Sequence, residues 1–255
     1  MRISSQSFSN SVILNLSRNN SKLFDVRNKI SLQTRILKPS DDPIASSQLA
    51  QLRREQSAIS QYQTNIQRLS GNLATQESSI KGCEQQLLAM KDKLQEAMGG
   101  TLSAEEISAY GKELESMLEA TITLVNTRDE DGRYLYSGTK TGQQPVVFDE
   151  ASQTWSYHGN DDTASTLVSS GQEIQVTTAL AAAFGDDLAT LNTLQEVVTK
   201  MQDGTLAPAG YFGDIQAAFN ALGRTHGEVG ALYTELGGRQ NRLSLLKDIH
   251  DDNNV

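Results

Sequence analysis

The sequence predicts a mainly α protein with a small β-rich insert: an elongated, antiparallel helical coiled-coil rod from which a β domain protrudes. Three observations carry this. Apolar residues recur at intervals of seven through two distant stretches of the chain, and between those stretches the periodicity collapses into short β-prone runs separated by turn residues. Aromatic residues make up only 5% of the chain and apolar residues 37%, which suits long, thin helical packing better than a broad globular core.

The first ladder runs Leu52, Ile59, Ile66, Leu73, Ile80, Leu87, Leu94. Three residues after each comes a mixed second row: Glu55, Tyr62, Leu69, Gln76, Cys83, Met90, Ala97. A seam of this kind needs a partner helix. Spanning residues 43–98, the helix would be about 80 Å long. The second ladder is Ile215, Leu222, Val229, Leu236, Leu243, with Ala218, Thr225, Leu232 and Leu246 beside it, and it is the natural partner of the first. Two shorter apolar stripes lie between, over 104–127 and 187–203. Gly99, Gly100 and Thr101 stop the long helix, and Ser103 with Glu106 three residues later forms a capping box for the next, so the two turn back on each other.

From about 128 to 185, the runs Tyr134–Tyr136, Val146–Phe148, Thr154–Tyr157 and Glu173–Thr177 alternate with turn residues and read as strands. The first 38 residues, rich in Ser and Asn, carry Leu16, Leu23, Ile30 and Leu37 at a further spacing of seven. This segment is a helix in want of a partner, and its weak intrinsic propensity leaves it frayed when alone in water. The domain plan is thus an N-terminal assembly segment (1–38) with Leu16, Leu23, Ile30 and Leu37 as its interface, a helical body (39–130 and 186–255) and an outer β-rich domain (131–185).

Between segment and body lies an elbow made by Pro39, Ser40, Asp41, Asp42 and Pro43. Pro39 forces Lys38 out of the helical region and ends the first helix, whereas Pro43 suits the first position of the second. Asp42 is then the N-cap, and the two carboxylates face the positive end of the helix dipole.

Several classes of function are disfavoured. The net charge of −9 carries no basic cluster to meet a phosphate backbone. No run approaches the ~20 apolar residues that cross a bilayer, and the N-terminus does not resemble a cleaved signal peptide. Cys83 is alone and reads as a small core residue. His158, His226 and His250 are dispersed, so neither metal nor other cofactor is expected. Asp129, Asp131 and Gly132 imitate the start of a calcium loop but lack its later ligands. Asp41 and Asp42 have no nucleophile beside them, no Gly-x-Ser-x-Gly or phosphate loop occurs, and the chain does not read as an enzyme. Met90, Met98 and Met117 read as core filler, and Lys91, Lys93, Arg53 and Arg54 as solvated faces.

Four motifs together give the chain a specific resemblance: Met1-Arg2-Ile3-Ser4; Lys38-Pro39-Ser40-Asp41-Asp42-Pro43; Asp131-Gly132-Arg133-Tyr134-Leu135-Tyr136-Ser137-Gly138; and Leu236-Gly237-Gly238-Arg239-Gln240-Asn241-Arg242-Leu243. In these and in the order of its regions it resembles the bacterial flagellin superfamily, and more narrowly the flagellar hook-associated proteins of type 3. A flagellin proper would more typically carry Ala-Asp-Asp-Ala at the elbow. The resemblance implies a structural subunit at the hook-filament junction, exported to the extracellular flagellum by the type III apparatus without a cleaved signal. It also implies partners: the other hook-associated junction protein, flagellin, further copies of itself in a ring or tube, and an export chaperone, with no nucleic acid and no membrane. A minor flagellin, or a soluble coiled-coil adaptor or secretion regulator, is the alternative. Family members continue into a further terminal helix that pairs with the N-terminal segment, whereas this sequence ends at Asp251-Asp252-Asn253-Asn254-Val255, so residues 1–38 are expected to lack that partner.

Amide exchange on the isolated chain should therefore be fast over residues 1–38 and slow over 52–94; equal protection of the two would overturn this.

Overall fold

A computed structural model describes residues 2–99, 102–203 and 211–253. Parts of three expectations fall outside the described residues: Met1 of the opening motif, Gly100 and Thr101 of the helix stop, and Asn254 and Val255 of the chain end. Five α-helices are seen: α1 (Arg2–Ser31), α2 (Pro43–Met98), α3 (Ala104–Val125), α4 (Ala189–Gln202) and α5 (Tyr211–Asn253). Between α3 and α4 lie four strands, β1 (Val146–Asp149), β2 (Thr154–Tyr157), β3 (Ser165–Ser169) and β4 (Gln172–Gln175), followed by two short 3-10 turns. By contacts the chain forms two compact units, Met1–Ala58 and Ile59–Val255.

In the larger unit α2 and α5 run antiparallel, and their seven-residue ladders are buried in one apolar cluster. The seam positions of α2 are sealed from Ile66 through Leu69, Leu73, Ile80, Leu87 and Leu94, and those of α5 from Ile215 through Leu222, Val229, Leu236 and Leu243. Polar pairs mark the register along this seam. Gln63 donates to Asp251, Glu77 accepts from both Tyr233 and Gln240, and the Lys91 ammonium lies 5.0 Å from the centre of the Phe219 ring. The α2 numbers rise as the α5 numbers fall, as antiparallel packing requires.

The remaining helices complete the layer. The Ser103–Glu106 capping box forms with both of its hydrogen bonds and starts α3, which returns along α2. Lys93, expected as solvated, instead bridges α2 to α3 through Glu113 at 3.2 Å, with its ammonium 5.5 Å from the centre of the Tyr110 ring. At Gly111, a β-carbon would come within 3.0 Å of Met201 Cβ, so glycine lets α3 and α4 close on each other. Thr190 and Thr225 hydroxyls meet at 2.9 Å between α4 and α5.

The strands form two separate antiparallel hairpins, β1 with β2 and β3 with β4. Tyr134–Tyr136, expected as a strand, is instead a buried turn with one bridge, Arg128 to Tyr134. Its backbone amides are used elsewhere: Tyr134 N–H donates to Thr141 and Leu135 N–H to Thr127. Tyr136, Val146, Val168 and Ile174 belong to the same apolar cluster as the helices.

Burial of a leucine-class side chain is worth about 1.5–3 kcal/mol. Leu73→Ala, at a sealed position, should cost about 2–5 kcal/mol in urea unfolding. Leu52→Ala, in the same ladder but 61% exposed, should stay within about 0.5 kcal/mol. Equal costs would show that the ladder is not the packing seam.

Candidate functional site

The smaller unit carries the residues expected to act in assembly. In α1 the side chains of Phe8, Val12, Leu16, Leu23, Val26 and Ile30 are all exposed, Ile30 to 73%. At 3.6 residues per turn these six fall within an arc of about 80°. They form one apolar stripe without a partner among the described residues of the unit, of a kind that marks a contact surface, while Ile13, Leu14 and Phe24, also exposed, lie off it. Leu16, Leu23 and Ile30 lie on this stripe. Leu37 does not, because α1 ends earlier than the prolines suggest.

That early end has a local cause. Gln33 takes a left-handed conformation (φ 52°), Gln33 N–H donates to Ile30 and Thr34 N–H donates to Lys29, which is the Schellman closure of a helix. Glycine is the usual residue at such a position, so nothing in the composition announced it. Pro39 therefore follows the helix end by eight residues rather than causing it, and Leu37 sits half-buried in the connecting loop.

The elbow is held by its two aspartates, each in a different way. Asp42 caps α2: its Oδ1 accepts from Ala45 N–H at 3.0 Å, and its carbonyl accepts from Ser46 N–H. Its other oxygen accepts from Arg35 at 3.1 Å. Asp41 turns backward, accepting from Leu37 N–H at 3.3 Å and pairing with the Lys29 ammonium of α1 at 3.1 Å. Pro43 is the first residue of α2, while Pro39 and Ser40 form the exposed outer bend. The Lys29 hydrogen bond, followed by that from Leu37, holds the Asp41 carboxyl below its ordinary value of 3.8.

A second constellation, in the larger unit, was not singled out from the sequence. Gln76 stands at a seam position yet is fully buried, donating to the Val176 carbonyl at 3.0 Å and accepting from the Thr178 hydroxyl at 2.6 Å. One turn on, the Ser79 hydroxyl meets the buried Tyr136 hydroxyl. From α5, Arg239 donates to the carbonyls of Thr177 and Gln175. Farther along, His250 donates through Nε2 to the Val168 carbonyl at 2.8 Å while its ring stacks on Tyr62. These residues fasten the hairpins to α2 and α5. The sequence signal was Gln76 itself, a polar break in an otherwise apolar row.

Chemistry of a catalytic kind is not assembled by these groups. Burial pushes the Cys83 thiol up to about 12, which keeps it protonated and inert. Among the described residues, no group of three His, Cys, Asp or Glu converges as a metal site, and no helix is long and apolar enough to cross a membrane.

The family model for the bacterial flagellin N-terminal helical region matches residues 3–141, more than half of the chain. The chain belongs to the bacterial flagellin family. Within that family it is similar to flagellar hook-associated protein 3 of Salmonella typhimurium, with 27% identity over 222 residues, covering 87% of this chain and 67% of that relative. It is also similar to the solved structure of a candidate flagellar hook-associated protein from Vibrio parahaemolyticus, at 30% identity and a TM-score of 0.76, covering 85% of this chain and 96% of that one. A Bacillus cereus FlgL structure shares the fold, with 20% identity, a TM-score of 0.66, and coverage of 82% and 97%.

The motifs that this flagellin-family chain shows now have geometric reasons. Lys38–Pro43 is the elbow. Asp131–Gly138 runs from an exposed bend into the buried turn whose Tyr136 reaches α2, and Gly138 (φ 65°) lies so close to Asn160 that a side chain would collide with it. Leu236–Leu243 buries both its leucines in the seam and sends Arg239 to the hairpins.

A carboxyl whose folded pKa is lowered contributes stability above its unfolded pKa and loses it as pH falls through the folded value. NMR titration of Asp41 should therefore give a midpoint below 3.8, and Lys29→Ala should move it back up toward 3.8. An unchanged midpoint in that variant would show that the ammonium does not hold the elbow.

Proposed function

We propose that this chain is a structural subunit of the bacterial flagellum at the junction of hook and filament, seated between the other hook-associated junction protein and flagellin. The observation that carries this reading is the unpartnered apolar stripe of α1 in a flagellin-family chain. A folded unit that leaves Phe8, Leu16, Leu23 and Ile30 in water is completed by neighbouring subunits, since burying each side chain is worth about 1.5–3 kcal/mol.

Residues 1–38 form the axial assembly segment, with Leu16, Leu23 and Ile30 at the interface and Leu37 in the loop that follows α1. Pro39, Ser40, Asp41, Asp42 and Pro43 set the direction in which α2 leaves it. Residues 39–130 and 186–255 make the helical body, and residues 131–185 the outer domain. The protein works mechanically, as a coupling rather than as an enzyme. It reaches the extracellular flagellum through the flagellar type III apparatus with the help of an export chaperone, and associates with copies of itself in a ring or tube. Repetition of one surface against a different one is what builds such closed or helical assemblies.

Deletion of the gene should leave hooks that shed flagellin monomers into the medium. The wild-type chain should restore filament retention, and a Leu16→Ser, Leu23→Ser, Ile30→Ser variant should restore less than about a tenth of it, since each exposed leucine contributes one to two factors of ten in assembly. Filaments that merely shorten on deletion would point instead to a minor flagellin.

A further inference from the structure

In an antiparallel pair, residues alternate between exchanging both backbone hydrogen bonds with the partner strand and turning both groups away from it. In the β1–β2 hairpin the groups that turn away are met by asparagines. Val146, opposite Tyr157, donates its N–H to the Asn126 side chain at 3.0 Å, and its carbonyl accepts from the same amide at 2.9 Å. On the other edge Trp155, opposite Phe148, donates to Asn192 Oδ1 at 2.7 Å and accepts from Asn192 Nδ2 at 3.1 Å. Each asparagine thus copies one rung of a neighbouring strand.

The same alternation turns the backbone N–H and carbonyl of Tyr157 away from β1, on the side where Asn192 meets Trp155. Tyr157 spends its hydroxyl on the carbonyls of Tyr136 and Asn160, but among the described residues nothing bonds to these two backbone groups. The edge borders a cleft of about 630 Å³, closed on its far side by the segment from Ala181 to Leu188. An open strand edge beside such a space is a template for a further strand. Charge narrows what that strand can be. Asp161, Asp186 and Asp187 stand exposed around the cleft, none of their carboxylates has a hydrogen bond or ion pair among the described residues, and no described Lys or Arg lines it.

We infer that the free edge of β2 receives an extended peptide segment of a partner protein, which adds a third strand to the hairpin and carries Lys or Arg toward the three carboxylates. The pairing takes up where Asn192 leaves off: one residue of the segment exchanges both backbone bonds with Tyr157. The backbone supplies the attachment and the cations supply the selection. A second copy of this chain is the poorer occupant, because at a net charge of −9 the copies repel one another.

The test titrates the full chain with the peptide acetyl-Thr-Lys-Val-Lys-Thr-amide. Two readouts sit at the site: fluorescence of Trp155, the only tryptophan, which lines the cleft, and amide exchange at Tyr157. Saturating peptide should slow exchange of the Tyr157 amide about tenfold, as a new hydrogen bond requires. Methylating the backbone nitrogen of the central Val should weaken binding about tenfold by removing one rung donor while leaving every charge in place. Replacing both peptide lysines by Glu should abolish binding, and Asp161→Asn with Asp187→Asn in the protein should weaken the lysine peptide about tenfold. Asparagine tolerates the left-handed conformation of residue 187, and circular dichroism checks the fold of this variant. Absence of binding, equal affinity of the methylated peptide, equal affinity of the Glu peptide, or an unchanged Tyr157 amide would each overturn the inference. Sedimentation of the chain alone decides between occupants: a dimer that the lysine peptide dissociates would give the edge to a second copy and overturn the assignment to a partner. The junction reading is separate, since filament retention decides it and peptide binding to the isolated chain decides this one.

Discussion

The larger unit depends on the burial of one row of leucine-class residues on α2 against another on α5. Everything else in that unit is placed by this seam. It sets α3 and α4 on the flanks, where Gly111 lets them approach closely, and it presents the carbonyl acceptors of the hairpins to Gln76 and Arg239. Side chains sealed at Leu73, Ile80, Leu87 and Leu94 supply the driving force, and the polar groups between them cost little because they are paired. Among the described residues, no buried side-chain nitrogen or oxygen lacks a hydrogen-bond partner.

The two units differ in what they leave undone. The described residues of 59–255 bury most of their large apolar side chains in one cluster. Residues 1–58 form helices and a capped elbow yet leave large apolar side chains in water. Local hydrogen bonds mark the bounds of their helices, from the Schellman closure at Gln33 to the cap at Asp42. They cannot supply a core, because one stripe on one helix has nothing to bury against. The larger unit thus packs about an apolar core of its own, whereas the smaller one leaves an apolar stripe uncovered.

Much of this was legible in the sequence, for physical reasons that can be named. A sevenfold apolar repeat needs a partner helix of the same period, so Ile66 to Leu94 and Ile215 to Leu243 could be paired, though not placed in register, from their spacing alone. Ser103 and Glu106 declared a helix start because both partners of the capping box are local. The misreadings came where the deciding interaction was distant or had no typical residue. Gln33 closes α1 in a conformation usually given to glycine, which moved the helix end away from Pro39. Tyr134, Leu135 and Tyr136 have strand-like composition, but their amides are claimed by Thr141 and Thr127 and their rings by the helices. β3 went unrecognised because Ser165–Ser169 is half polar, and its strand character comes from pairing with β4. The roles of Gln76, Arg239 and His250 were invisible for the same reason: each acts on a backbone carbonyl between 62 and 100 positions away in the chain.

The buried glutamine in the seam has a mechanical meaning. Two leucine ladders of equal period match as well after a slide of one heptad, about 10 Å, as they do in place. The hairpin segment can follow only one helix in such a slide, so either Gln76 leaves Val176 and Thr178 or Arg239 leaves Thr177, at about 1–3 kcal/mol for each buried polar group left unpaired. The polar layer thus acts as a detent, resisting slippage of one helix past the other when the protein is sheared along its helices.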